Sequence, residues 1–177
     1  MFNPNDVKEP DAGDRIALLV GNYDPPTMDY YRAIEALLSF GGIKNVWLCP
    51  LKANDDIWAM TNSLAVDFCV NGRPLTACLL KNKTAADYAA WARKRYPELK
   101  FTVASVEKEE QDSERTILVK IGSDAVTANP QLDVLMIDKF APMPMDLKDR
   151  IKGGSDEARC FIPAIWNYIQ KHKLYRE

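Results

Sequence analysis

A glycine turn followed by two prolines is the feature of this chain best suited to bind a phosphate. An apolar run over residues 16–20 ends at Gly21, and the segment Asn22–Thr27 then leads into an amphipathic helix. The N-terminus of such a helix attracts anions, because its N–H groups are free and its dipole is positive there. A buried strand, a tight turn and a helix in this order are typical of the start of a nucleotide-binding α/β domain.

Strands and helices alternate along the first hundred residues. The apolar pattern predicts strands over residues 15–20, 44–49, 75–80 and 100–106. It predicts helices over residues 27–40, 55–70 and 84–96, with Thr84 as the N-cap of the last. After a charged surface loop at 107–114, we expect strands at 115–121 and 132–137, a loop around a short helix at 142–154, and closing helices at 155–162 and 163–171.

This alternation predicts a Rossmann-like α/β fold, a three-layer α/β/α sandwich with a mostly parallel sheet. In such sheets ligands bind at the carboxyl ends of the strands, near the point where the strand order reverses. The turn at Gly21 is expected to lie at that edge.

Composition narrows the class of protein. The chain has 177 residues and a formal net charge of -2, which gives no sign of a nucleic-acid partner, and no apolar run is long enough for a membrane span. We expect a disordered leader over residues 1–14, a single domain over residues 15–177 and a cytoplasmic location. The four cysteines lack metal-ligand spacing and are expected to be reduced thiols without a metal: Cys49, Cys69, Cys78 and Cys160.

The turn resembles the signature G-x-F-[DN]-P-x-[HT]-x-G-H of the nicotinamide/nicotinate mononucleotide adenylyltransferases. The residues that fit, with tyrosine in place of phenylalanine, are Gly21, Tyr23, Asp24, Pro25 and Thr27. Asp29 replaces the glycine of the signature and Tyr30 replaces its last histidine. The HxGH part of the motif is therefore degenerate.

The C-terminal part resembles the same family, whose members carry I-S-S-T-x-I-R, a helix, and then Y-I-x-x-x-x-L-Y. The closing segment Tyr168–Tyr175 matches in order and spacing. In the phosphate-binding part, Ser155 and Arg159 remain, but Asp156 stands where threonine belongs. Ser155 followed by acidic residues also satisfies the rules for an ordinary helix N-cap.

The resemblance implies transfer of an adenylyl group from ATP, with Mg²⁺, to nicotinamide or nicotinate mononucleotide. It implies no metal held by the protein. If the chain is active, the catalytic residues are expected to be Thr27 and Arg159. The residues expected to bind the nucleotide are Gly21, Asn22, Tyr23, Asp24, Tyr30, Lys52, Ser155 and Arg159.

The departures from the motifs predict weak or lost adenylyl transfer, as in a pseudoenzyme. Asp29, Asp156 and Glu157 are expected in the first turns of the helices that would hold phosphates, where each unpaired carboxylate repels a phosphate by about 1–4 kcal/mol. Two alternatives remain open. One is an active enzyme that makes NAD or nicotinate adenine dinucleotide. The other is a non-catalytic interaction domain with its cavity filled by Tyr30 and its neighbours. A nucleotide ligand, a protein partner and a homo-oligomer are all compatible with the resemblance.

Overall fold

The computed structural model describes residues 10–72, 75–78, 80, 83–122 and 129–177. Within these ranges six strands form one sheet: β1 (Arg15–Gly21), β2 (Ile43–Pro50), β3 (Thr76–Ala77), β4 (Lys100–Val106), β5 (Thr116–Ile121) and β6 (Leu132–Ile137). The α-helices in the same ranges are α1 (Met28–Leu38), α2 (Asp55–Val70), α3 (Ala85–Arg95), α4 (Pro144–Lys152) and α5 (Pro163–His172).

Every strand pair in the sheet is parallel, in the order β3-β2-β1-β4-β5-β6. The strand β1 lies in the middle of the sheet, where Val20 pairs with Cys49 of β2 on one side and Ser105 of β4 on the other. The strand order reverses between β1 and β4, which is the expected ligand-binding position in this architecture.

Alternate residues of β1 build two separate cores, one on each face of the sheet. Ile16, Leu18 and Val20 pack with the buried face of α3, whereas Ala17 and Leu19 pack with α1, α2 and α5. Side chains of successive strand residues point to opposite faces, so an apolar run buries both. The predicted three-layer α/β/α sandwich is confirmed.

Local signals predict most of the elements correctly. The predicted bounds of α2, β4 and β6 agree with the structure, and Thr84 caps α3 in a capping box with Asp87. The strand predicted over 75–80 is shorter, with Thr76–Ala77 as its paired part, and residue 79 lies outside the described residues.

The helix predicted over residues 155–162 is wrong, because the described chain there forms only a 3-10 turn over Ala158–Cys160. Pro163 excludes the helical conformation at Ile162, which is extended at φ −65° and ψ 149°. Before it, the Asp156 carboxylate accepts a hydrogen bond from the backbone N–H of Ala158 and holds the turn. A helix therefore begins only at Pro163.

The leader predicted over residues 1–14 falls mainly on residues 1–9, which lie outside the described residues. Gly13 donates a backbone hydrogen bond to Glu98, and Lys100 donates one to Asp14. None of the helices in the described part of the chain is long and apolar enough to cross a membrane.

Candidate functional site

A cavity of about 990 Å³ opens at the carboxyl ends of β1, β4 and β5. Its walls come from the turn after β1, the loops after β2, β4 and β6, and the helix α4. Of the residues predicted for catalysis or nucleotide binding, those that line the cavity are Gly21, Asn22, Asp24, Thr27, Tyr30 and Lys52. The cavity therefore lies where the strand order reverses, as ligand sites do in sheets of this type.

The turn after β1 is packed too closely for any residue but glycine at position 21. The Tyr30 hydroxyl oxygen lies 2.6 Å from the position that a Cβ atom on Gly21 would occupy. The same hydroxyl accepts a hydrogen bond of 3.1 Å from the backbone N–H of Tyr23, and the two tyrosine rings lie 4.4 Å apart. Tyr30 thus fills the space beside Gly21 and leaves the rest of the cavity open.

Tyr23 lies beneath the cavity and does not form part of its wall. Its backbone is left-handed at φ +51°, and its buried hydroxyl donates to the carbonyl of Leu19 at 2.7 Å. Burial raises the pKa of Tyr23 well above its ordinary value and that of Tyr30 to about 12. Both hydroxyls are therefore neutral near pH 7, so Tyr30 offers a ligand an uncharged donor.

Asp29 lines the cavity, but its carboxylate is engaged in hydrogen bonds with the backbone of another loop. It is 6 % exposed and accepts hydrogen bonds from the backbone N–H groups of Phe140, at 2.8 Å, and Ala141, at 3.1 Å. Thr27 caps α1, and its hydroxyl oxygen accepts from the backbone N–H of Asp29. The carboxylate that replaces the glycine of the motif joins α1 to the loop after β6.

The cavity wall carries five lysines and four acidic residues, Asp24, Asp29, Glu107 and Glu110. Lys148 pairs with Asp24 at 2.7 Å, and Lys120 pairs with Glu107 at 2.6 Å. The ammonium groups of three further lysines of the wall have no ion-pair or hydrogen-bond partner among the described residues: Lys52, Lys108 and Lys139. These three ammonium groups are the cations available to an anionic ligand.

The three lysines without a partner share a position relative to the strands of the sheet. Each follows the last residue of a strand by two positions, after Pro50 of β2, Val106 of β4 and Ile137 of β6. These strands are second neighbours in the sheet, so the lysines emerge about 10 Å apart along its carboxyl edge. The sequence motifs predict only Lys52 and miss the other two, although a lysine two or three positions after each of these predicted strands is a signal for them.

Ser155 and Arg159 lie outside the residues that line the cavity, and both are exposed. The expectation that Asp156 and Glu157 begin a helix at a phosphate site is wrong, because α5 begins at Pro163 and neither carboxylate reaches the cavity. Glu157 is instead buried and accepts from the Ser155 hydroxyl at 3.0 Å.

The thiol of Cys160 is the second group on the buried Glu157 carboxylate, with its sulfur 3.6 Å from the Oε2 atom. Burial and the Glu157 charge raise the pKa of Cys160. The described cysteines are all free. Among the described residues there is no group of histidine, cysteine or acidic side chains that could hold a metal ion.

Solved structures with a similar fold include two of nicotinic acid mononucleotide adenylyltransferase from Plasmodium falciparum. The one complexed with APC has a TM-score of 0.69 and 12% identity, and the one complexed with NaAD has a TM-score of 0.68 and 13% identity. Each alignment covers 92% of this chain and 97% of the other. A putative nicotinate-nucleotide adenylyltransferase from Vibrio parahaemolyticus has a TM-score of 0.66 and 16% identity, with 93% of this chain and 96% of the other covered.

No protein-family model matches the chain, and no curated protein does either. The fold is a Rossmann-like α/β sandwich, and it is the fold of nicotinate-nucleotide adenylyltransferases, as the sequence resemblance implies. TM-scores of 0.66–0.69 show the common fold, which at identities of 12–16% does not by itself define an activity.

Proposed function

We propose that this protein is a divergent relative of the nicotinamide/nicotinate mononucleotide adenylyltransferases that binds a nucleotide while adenylyl transfer is weak or lost. One observation carries the proposal. The cavity wall offers an anion three lysines without a partner, but no histidine and no arginine occurs among the described residues that line it.

Binding is supported by the position and charge of these lysines. Lys52, Lys108 and Lys139 follow three strands of the same edge, and Gly21 keeps the turn after β1 close to the cavity. A Lys ammonium group attracts phosphate as a point charge. The Tyr30 hydroxyl accepts from the backbone, so its own proton is available to a phosphate oxygen.

Weak adenylyl transfer is expected because the hydrogen-bond donors of the cavity are either unfixed or uncharged. Adenylyl transfer requires no protein nucleophile, so catalysis depends on donors that are fixed where charge develops in the transition state. The three lysines are exposed and no described side chain fixes them, whereas Tyr30 is fixed but neutral. Mg²⁺ would arrive with the phosphates of ATP, since the described residues contain no group to hold it.

An active adenylyltransferase is the second candidate, and the positions of three carboxylates favour it. Asp156 and Glu157 lie away from the cavity, and the Asp29 carboxylate accepts hydrogen bonds from two backbone N–H groups. Two of the three carboxylates that the sequence placed beside a phosphate therefore lie away from the cavity. A purely structural interaction domain is disfavoured, because Tyr30 does not fill the cavity.

The decisive experiment measures ligand binding and turnover on the same preparation. Calorimetry with ADP tests binding, and mass spectrometry tests dinucleotide formation from Mg-ATP with either nicotinamide or nicotinate mononucleotide. We expect ADP to bind and no steady turnover to occur. The Lys108→Ala variant should bind ADP about 5-fold more weakly, whereas Arg159→Ala, the matched control outside the cavity, should bind as the wild type does.

Three other outcomes would contradict the proposal. Steady turnover that is lost in Lys52→Ala or Lys108→Ala would establish the active enzyme instead. Binding of ADP that depends on Arg159 would place the phosphate at the segment before α5. If no nucleotide binds to the folded protein, the proposed function is wrong.

A further inference from the structure

Asp24, Lys148 and Tyr175 come from three distant parts of the chain and meet at the cavity wall; we call them the tail clamp. The Tyr175 hydroxyl donates to the Oδ1 atom of Asp24 at 2.6 Å. The Lys148 ammonium group donates to the Oδ2 atom at 2.7 Å and lies 5.1 Å from the centre of the Tyr175 ring. Both carboxylate oxygens are therefore occupied by charge-assisted or short hydrogen bonds.

The chain after α5 turns back sharply to bring Tyr175 to this place. Lys173 and Tyr175 are left-handed at φ +54° and +62°, and the backbone N–H of Leu174 donates to the carbonyl of Ile169 at 3.0 Å. Left-handed backbone is unfavourable for side chains other than glycine and persists where the surroundings hold it. Packing of the half-buried Leu174 and Tyr175 on the main core supplies those surroundings.

Only two of the three clamp residues can touch a ligand. Asp24 and Lys148 line the cavity, whereas Tyr175 does not. Asp24 directly follows the left-handed Tyr23, whose backbone N–H is held by Tyr30 from the other side. The short turn between β1 and α1 is thus held at one point by α1 and at the next residue by the C-terminal segment.

We propose that Tyr175 is a positioning residue of the cavity, whose hydroxyl holds the Asp24 carboxylate, and through it Lys148 and the turn, where an anionic nucleotide is bound. This inference rests on the proposed function. Without the hydroxyl, Asp24 has Lys148 as its remaining side-chain partner in the described structure, and the turn at residues 22–24 loses its hydrogen bond to the C-terminal segment and is held less firmly relative to the three lysines of the wall.

A matched pair of variants separates positioning from packing. Tyr175→Phe removes only the hydroxyl and keeps the ring on the core. Tyr168→Phe removes a similar hydroxyl on α5, which donates to the Asp56 carboxylate at 2.7 Å, and neither residue lines the cavity. Both variants delete one tyrosine–carboxylate hydrogen bond, so loss of stability alone should be similar.

The experiment uses the full chain and two readouts, hydrogen exchange of the backbone amides of residues 20–24 and affinity for ADP by calorimetry. In Tyr175→Phe we expect exchange of this segment to be about 10-fold faster and ADP binding to be about 10-fold weaker. In Tyr168→Phe both quantities should equal those of the wild type. Asp24→Asn should reproduce the faster exchange, because the amide loses the charge that binds Lys148.

Unchanged exchange in Tyr175→Phe would overturn the clamp. Faster exchange with unchanged ADP affinity would overturn its role in positioning, as would equal losses of affinity in Tyr175→Phe and Tyr168→Phe. If the wild type binds no ADP, the proposed function fails, and the exchange data still decide whether Tyr175 holds the turn.

Discussion

Two buried carboxylates, Asp29 at the start of α1 and Glu157 before α5, are stabilised in different ways. Asp29 accepts from two backbone N–H groups that lie more than a hundred residues away. Glu157 accepts from the hydroxyl of Ser155 and contacts the thiol of Cys160, both within three residues of it. The first carboxylate connects distant parts of the cavity wall, whereas the second stabilises a local turn.

The difference shows that an acidic side chain in a degenerate phosphate-binding motif can take a structural role in two ways. A carboxylate that accepts from fixed backbone donors gains strong hydrogen bonds, and its oxygens are directed towards the protein. Asp29 still lines the cavity, whereas Glu157 does not. The variants below test whether the two regions are energetically as different as their contacts.

The largest effect is expected for Asp29→Ala. This change leaves the N–H groups of Phe140 and Ala141 without their acceptor in a partly buried place, so the free energy of unfolding should fall by about 3 kcal/mol. Urea denaturation measures the loss. Asp29→Asn should lose less, because its amide oxygen still accepts one bond. A loss below about 1 kcal/mol in Asp29→Ala would show that this contact does not hold the loop.

A smaller effect is expected for Gly21→Ala, through overpacking against Tyr30. The added Cβ would lie 2.6 Å from the Tyr30 hydroxyl, and we expect a loss of about 2 kcal/mol in the free energy of unfolding. A double-mutant cycle with Tyr30→Phe should recover part of it, because the clashing oxygen is then gone. Strict additivity of the two changes would contradict the close packing of this turn.

Glu157→Ala should cost less again, about 1 kcal/mol. The change removes the contacts with Ser155 and Cys160, but it also removes a buried charge that was costly to desolvate. ADP affinity should not change, because Glu157 does not line the cavity. A fall in ADP affinity, measured by calorimetry, would mean that the segment before α5 belongs to the site after all.

The smallest effect at neutral pH concerns Tyr30, whose ionisation should change stability only in strong alkali. Its pKa is raised by burial from 10.0 to about 12, so between these values the unfolded chain loses the proton and the folded chain keeps it. The unfolded state is then favoured, and stability should fall as pH rises through this window. Replacing Tyr30 by phenylalanine should make the fall shallower in alkaline urea titrations; an identical slope would contradict the raised pKa.

Local sequence signals explain why most of the fold can be predicted. The capping box at Thr84 and the apolar periodicity of α2 act over a few residues, and both elements are predicted correctly. Pro163 correctly predicts the start of a helix. The same proline disfavours helical backbone at Ile162, where the helix predicted over 155–162 fails, and side-chain contacts such as that of Asp156 with the Ala158 N–H accompany a 3-10 turn before it.

The candidate site is less predictable, because its contacts join residues far apart in the chain. The pairing of Asp29 with Phe140 and of Asp24 with Tyr175 follows from tertiary packing and has no periodic signature. The turn at Gly21 is recognisable because its strand, glycine and helix are contiguous. Lys108 and Lys139 are predictable in part. Each follows the end of a strand by two residues, but this regularity is seen only when the ends of several strands are compared.

The hydrogen bond between the Phe140 N–H and the Asp29 carboxylate can form only late in the synthesis of the chain. Its two partners are separated by 111 residues, so at about 5–20 residues per second a ribosome takes roughly 5–20 seconds to supply the second one. In that interval β1, β2 and β4 can pair, while the Asp29 carboxylate remains in water. The cavity wall of a newly made chain is therefore finished later than the sheet beneath it.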